Sequence, residues 1–238
     1  MSTELPPRGK TSAKRRTPAP SVEAIYERIL NAVMEHRLPP GTKLIEEKLG
    51  AAFSVSRTKI RQVLGRLAHD GVATVYPNRG TFVSSPTVEE ARHVLEARRL
   101  IEPALIRQFA EAGTKEQLAR LREHVTLESK ARAANERRSI IRLSGEFHML
   151  IADMAGNPFL AKSLRELATL TCLIIALYDS PTVPACLHNE HEDIVDAVAA
   201  GDAKRAAALM VTHLNHVERA LDMHVPVSEE IDLEAVFA

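Results

Sequence analysis

Between residues 21 and 36 the apolar positions Val22, Ile25, Ile29, Ala32 and Val33 recur at helical spacing. Ser21 stands where an N-cap is needed and Glu23 falls in the first turn, so the pattern predicts a helix from Ser21 to about His36. Leu38-Pro39-Pro40-Gly41 stops it, because Pro39 disfavours a helical residue before it and Gly41 permits a tight turn. A second, short helix is predicted over Glu46–Phe53 and breaks at Ser54-Val55. A third starts at Ser56, turns Ile60, Val63, Leu64 and Leu67 inward, and ends near Gly71. The period then shortens. Val72–Tyr76 and Thr81–Val83 read as two strands joined by the turn-forming Pro77-Asn78-Arg79-Gly80.

Beyond Pro86 strand signals are scarce and long helical patterns take over, over about 87–112, 115–135, 138–155, 158–179, 187–200 and 202–224. Gly113, Gly156-Asn157-Pro158, Pro181, Pro184 and Gly201 punctuate them. The fold class is therefore mainly α: a winged helix-turn-helix over 21–86, followed by a bundle of about six helices over 87–224. Residues 1–20 mix Pro, Ser and Thr with Lys14-Arg15-Arg16 and have too few apolar positions to fold, so they are expected to form a disordered basic arm. Residues 225–238 carry little pattern and are read as a tail.

Composition changes this picture in one respect. The chain has 45% hydrophobic and 26% charged residues, ordinary for a globular protein, and no apolar run of membrane-spanning length. No apolar stretch follows the first basic residues, so a secretory signal is not expected and the cytoplasm is the expected location. Cys172 and Cys186 form no CxxC and read as small buried hydrophobes. The formal net charge is zero, yet residues 1–86 carry 14 Lys/Arg against 7 Asp/Glu, a net +7. Residues 87–238 carry 17 against 24, a net −7, so the first half is the nucleic-acid candidate.

The cations sit where DNA chemistry needs them. Arg57, Thr58, Lys59 and Arg61 fall on the outer N-terminal turns of the third helix, behind the Ser56 cap, and Arg79 lies at the hairpin tip. An Arg fork can bond guanine O6 and N7 together, whereas Lys adds affinity for phosphate. Leu38-Pro39-Pro40-Gly41-Thr42-Lys43-Leu44, Val55-Ser56-Arg57-Thr58 with Arg61 and Leu64, and Pro77-Asn78-Arg79-Gly80 with Phe82-Val83 together resemble the GntR regulator family over residues 21–85. The resemblance implies base reading by Arg57 and Arg61, backbone contacts from Thr58 and Lys59, a contact from Lys48, and a wing of Asn78, Arg79 and Gly80 in the minor groove. Lys59 stands where the family often has Pro, and Gly65 where it often has Ala. One reading head covers few base pairs, so a homodimer on an inverted repeat is expected.

In the second half the chemistry lies in histidines. His148, His191 and His213 belong to three different predicted helices, and imidazoles on facing helices can converge on one transition metal. Spacing alone leaves open that they are ordinary surface or core residues. Phe147-His148 with Ala155-Gly156-Asn157-Pro158, Glu190-His191-Glu192-Asp193-Ile194 with Gly201-Asp202, and His213-Leu214 resemble the all-helical FCD effector domain of FadR-type GntR regulators, in its VanR-like branch, over residues 88–222. Many members hold a metal with three His and an Asp or Asn one turn before the first. The three His match, but Ser144 stands at the carboxylate position. The resemblance thus implies zinc held by three His plus water or effector, a role for His188 or His216, or no metal.

Arg98 matches a pocket-facing Arg of the family that could clamp an organic acid, and it could equally form a helix-surface pair with Glu102. Tyr178 could supply a pocket hydroxyl or belong to the core. The expected function is a repressor released from operator DNA by a small metabolite. The alternatives are a metal-dependent enzyme and a DNA-binding module whose helical half only dimerises. No phosphate-binding Gly loop, nucleophile elbow or HExxH supports the enzyme.

Overall fold

The computed structural model describes residues 19–178, 189–222 and 236; the basic arm up to residue 18, Cys186, His188 and most of the C-terminal tail lie outside it. Helix α1 spans Val22–Met34, and the Ser21 side chain caps it by accepting from the Ala24 amide at 3.0 Å. It stops before the predicted His36 because His36 itself takes a left-handed conformation, φ 56°, and the Arg37 amide turns back to the Ala32 carbonyl at 2.8 Å. Helix α2 spans Glu46–Phe53 and α3 spans Arg57–His69, with Ser54 in the left-handed region between them.

Strand β1, Ala73–Tyr76, pairs antiparallel with β2, Gly80–Val83, in the register Ala73↔Val83 to Tyr76↔Gly80. The turn carries Asn78 at φ 60° and Gly80 at φ 101°, values that favour Asn and Gly. On its other edge β2 receives the segment before α2: the Leu44 amide donates to Thr81, and the Val83 amide donates to Thr42, both at 2.8 Å. The stretch after Gly41 thus braces the wing, which its turn-like composition did not predict.

Six further helices follow among the described residues: α4 Val88–Ala112, α5 Lys115–Ala133, α6 Arg137–Met154, α7 Pro158–Tyr178, α8 Glu190–Ala199 and α9 Ala203–Ala220. Capping boxes Thr87/Glu90 and Thr114/Gln117 start α4 and α5. Helix α8 begins at Glu190, later than the predicted 187, because Asn189 is left-handed at φ 72°. Helix α9 ends short of the predicted 224, because Leu221 turns extended and the Asp222 amide donates to the Tyr178 carbonyl at 2.6 Å. Helix α4 lies along α9 and α7, while α5, α6 and α8 close the bundle.

Two of the apolar clusters matter for function. One, with Leu105, Phe109, Phe147, Leu164, Ile194 and Leu214, fills the bundle. The other holds Ile25, Ile29, Leu49, Ile60 and Leu67 of the winged helix, and it continues into Met149 of α6 and Ala168, Cys172 and Leu173 of α7. The winged helix therefore shares a core with the bundle. At this junction His36 Nε2 lies 3.1 Å from the Cys172 carbonyl, and Arg142 of α6 lies 3.3 Å from Glu35. Cys172 is buried as expected, and burial pushes its thiol up to about 12, which keeps it protonated and inert.

Candidate functional site

The outer turns of α3 present the predicted DNA-contacting residues to solvent. Ser56 accepts from the Lys59 amide at 3.3 Å, so it acts first as the cap that orients these turns. Arg57 and Arg61 are 62% and 69% exposed at the side chain, too open to be held by packing. Each meets a carboxylate from the first turn of α2: an Arg57 terminal nitrogen lies 3.1 Å from Glu47, and Arg61 Nε donates to both oxygens of Glu46 at 2.9 and 2.8 Å. Thr58 and Lys48 are exposed. The Lys59 ammonium donates to the Pro20 carbonyl at 3.0 Å, which ties it to the segment leading out of the basic arm.

Asn78, Arg79 and Gly80 form the exposed wing tip. The Arg79 guanidinium lies 5.5 Å from the Tyr76 ring centre and 5.9 Å from that of Phe82, and Lys43 stands over the same Phe82 ring at 5.6 Å. Lys43 lies in a turn-like stretch of the sequence, and its bridge to Phe82 is what makes it a wing cation.

The second site is buried. His148 of α6, His191 of α8 and His213 of α9 are all 3% exposed or less and converge. His213 Nε2 lies 3.3 Å from Nε2 of both His148 and His191. Each opposite nitrogen is fastened to a carboxylate: His148 Nδ1 to Glu102 at 2.5 Å, His191 Nδ1 to Glu128 at 2.8 Å, and His213 Nδ1 to Glu190 at 2.8 Å. An ionised carboxylate only accepts, so each Nδ1 carries the proton and each Nε2 offers a lone pair. Burial depresses His148 to about 3 and His213 to about 4, against the pull of their carboxylates, so both rings are neutral near pH 7.

Electrostatics completes the site. Burial opposes ionisation of Glu102, but the Arg98 guanidinium and His148 hold its carboxyl far below the usual range; His191 and His124 likewise bring Glu128 down to about 2. Glu102, Glu128 and Glu190 surround the three imidazoles with a negative field, which Arg98 offsets at Glu102. Three lone pairs facing one another inside that field repel unless a cation sits among them. Ligand nitrogens about 2.1 Å from a tetrahedral zinc lie about 3.4 Å apart, close to the 3.3 Å that separates His213 Nε2 from each of its two neighbours. The donor set fits a divalent metal, and the fastened Nδ1 atoms are the outer hydrogen bonds that such a ligand set uses.

A bundle of this kind behind a winged helix decides the identity. The FCD domain family matches residues 93–216, and the bacterial regulatory proteins of the gntR family match residues 21–83. The chain belongs to the FCD-bearing GntR regulators. It is 28% identical over 209 residues to the HTH-type transcriptional regulator YdfH of Escherichia coli O6:H1, covering 86% of this chain and 90% of that one. It is 29% identical over 206 residues to the HTH-type transcriptional regulator LutR of Bacillus subtilis, covering 77% and 93%. The solved structure of a GntR regulator from Rhodococcus sp. RHA1 superposes with a TM-score of 0.73 at 25% identity, covering 83% of this chain and 95% of that one. This GntR chain is accordingly a DNA-binding transcription regulator, and its relatives are regulators rather than enzymes. No helix among the described residues is long and apolar enough to cross a membrane.

The remaining expected effector residues fall differently around the GntR chain's histidines. Arg98 does pair with Glu102, but inside the bundle, at 3% and 1% exposure, and not on the helix surface. One Arg98 terminal nitrogen is buried without a hydrogen-bond partner among the described residues. Ser144, half-buried, precedes His148 by one turn of α6 and so shares its face. Tyr178 is not brought to this site: its hydroxyl donates to the Pro86 carbonyl at 2.9 Å, and its ring packs with the separate cluster of Ala91, Ile174 and Leu221. His216 bonds the Glu190 carboxylate through Nδ1, supporting the acceptor of His213 instead of joining the three rings. The sequence reading missed Glu128 and Glu190 as acceptors. Glu190 adjoins His191 and was visible in that motif, whereas Glu128 carries no local signal.

Proposed function

We propose that this regulator is a zinc-dependent, ligand-released repressor acting in the cytoplasm as a homodimer on an inverted-repeat operator. The observation that carries the reading is the convergence of three Nε2 lone pairs, each backed by a carboxylate, within a chain whose other half is a DNA reader. His148, His191 and His213 would hold the ion. Zinc would supply a Lewis-acidic coordination position, and the Arg98 nitrogen that has no partner among the described residues would give a carboxylate a second, charge-assisted contact. An organic acid is therefore the effector class that the site's chemistry favours. Ser144 leaves the position one turn before His148 without a charge, which favours an anionic ligand in that space over a fixed side chain.

In the DNA-bound form Arg57 and Arg61 would read bases, Ser56 would orient their turn, Thr58, Lys59 and Lys48 would hold the backbone, and Asn78, Arg79 and Gly80 would enter the minor groove. Repression is supported by the likeness to the HTH-type transcriptional repressor RspR of Escherichia coli K12, 26% identical over 206 residues. Release requires the ligand to prefer one arrangement of the dimer over the other.

Elemental analysis of the purified protein tests the reading. Zinc is expected at about one ion per chain and is lost in His148→Ala. Addition of citrate or another small carboxylate to the zinc-loaded protein should weaken operator binding in a gel shift. Metal-free protein that binds its operator indifferently to every carboxylate tried would sink the proposal.

A further inference from the structure

The two acidic residues that open α2 treat the arginines of α3 in chemically different ways. Glu46 takes Arg61 by Nε, with both carboxylate oxygens on that one nitrogen, and neither terminal nitrogen of Arg61 has a partner among the described residues. Glu47 takes Arg57 by a terminal nitrogen, one of the two that a guanine would need. The guanidinium plane of Arg61 is thus fixed at its inner edge while its outer fork stays open. An exposed arginine otherwise surrenders rotamer freedom when it docks on a base, and a fork already oriented loses less.

We infer that Glu46 is the positioning residue that sets sequence discrimination, holding Arg61 by Nε so that both terminal nitrogens face a guanine. Glu46 itself touches no base in this scheme, and its negative charge costs affinity for the phosphate backbone. It raises the ratio of operator to non-operator binding while lowering affinity for DNA in general. Glu47, one residue along, shares the charge but occupies the fork of its arginine, so it competes with DNA instead of preparing for it. The inference rests on the reading of Arg61 as a base contact.

The test compares Glu46→Gln, Glu47→Gln and Arg61→Ala in the full-length protein. The probes are a duplex enriched by the wild-type protein from a randomised library and a scrambled duplex of equal length, at one fixed salt concentration. Both glutamine variants remove one charge from the same helical turn, so each should bind the scrambled duplex more tightly. Glu46→Gln should lower the operator-to-scrambled ratio about tenfold, and Glu47→Gln should not lower it. Adding Glu46→Gln to Arg61→Ala should change the ratio no further. Equal ratios in the two glutamine variants would overturn the positioning role, as would a fall in Glu46→Gln that persists undiminished in the Arg61→Ala background. If Arg61→Ala alone keeps the full ratio, the base-reading assignment has failed instead. Thermal unfolding of each variant, expected to match the wild type closely, separates these outcomes from a damaged α2.

Discussion

At the scale of single residues, the histidine centre depends on groups that are not themselves ligand candidates. Glu102 accepts from Arg98 and His148 at once, and all three are buried. In Glu102→Gln the guanidinium would keep its charge inside the bundle without its counter-ion. The expected cost is about 3–5 kcal/mol of stability, measured by urea denaturation. Zinc affinity should also fall about 10- to 100-fold in a competition titration, because the His148 ring loses its anchor. A variant as stable as the wild type, with undiminished zinc affinity, would show that the carboxylate is incidental. The three imidazoles were legible in the sequence because they fall in recognisable helical motifs. Their acceptors were less so, since Glu128 on α5 faces His191 only after the bundle has folded, and nothing in the local pattern around Glu128 distinguishes it from a solvated glutamate.

At the scale of elements, sequence reading did best where local physics sets the boundary: the Ser21, Ser56, Thr87 and Thr114 caps stand at or beside the predicted starts. It did worst where a terminus is set by a distant partner, as at the end of α9, where Asp222 bonds Tyr178. The chemistry of Tyr178 suits a pocket or the core equally, and only the fold shows that its partner is the Pro86 carbonyl and its ring packs on an apolar cluster. Helix α3 allows a direct check on propensity. Gly65 lies on its exposed face, and an added Cβ there would meet nothing within 4 Å. Gly65→Ala should therefore stabilise the protein by up to about 1 kcal/mol, read as a raised Tm. Unaltered operator binding in this variant would place Gly65 outside the DNA contact, whereas a loss would mean that the backbone there approaches a phosphate closely.

At the scale of the whole molecule, the split in charge pointed to two halves but concealed their fusion, because a shared core leaves no periodic trace in either half. His36 offers a probe of that fusion. Burial depresses its ring to about 4, below the ordinary value of 6.5, and its Nε2 lies against the Cys172 carbonyl of α7. Between those two values the unfolded chain binds a proton that the folded chain refuses, so stability must fall as pH drops from 6.5 towards 4. The contribution of this one group is about 1.4 kcal/mol per pH unit at most. His36→Gln keeps a donor near the carbonyl without titrating. Its stability should fall less steeply over that range in urea denaturation; an unchanged slope would exclude His36 as a source of the acid sensitivity.

Helix α6 gives the shared core a further meaning. His148 belongs to the histidine centre, and Met149, the next residue, belongs to the core of the winged helix. Successive side chains on a helix point about 100° apart, so the two lie on different faces of one rod. A rod cannot turn on one face alone. Any roll of α6 that adjusts His148 also swings Met149 against the floor of the DNA reader. Gly145 on the same helix leaves little slack for this motion, since a Cβ there would stand 2.9 Å from Cys172 Sγ and 3.1 Å from Met34. Histidine centre and DNA reader are in this sense neighbours separated by a single peptide bond on one helix.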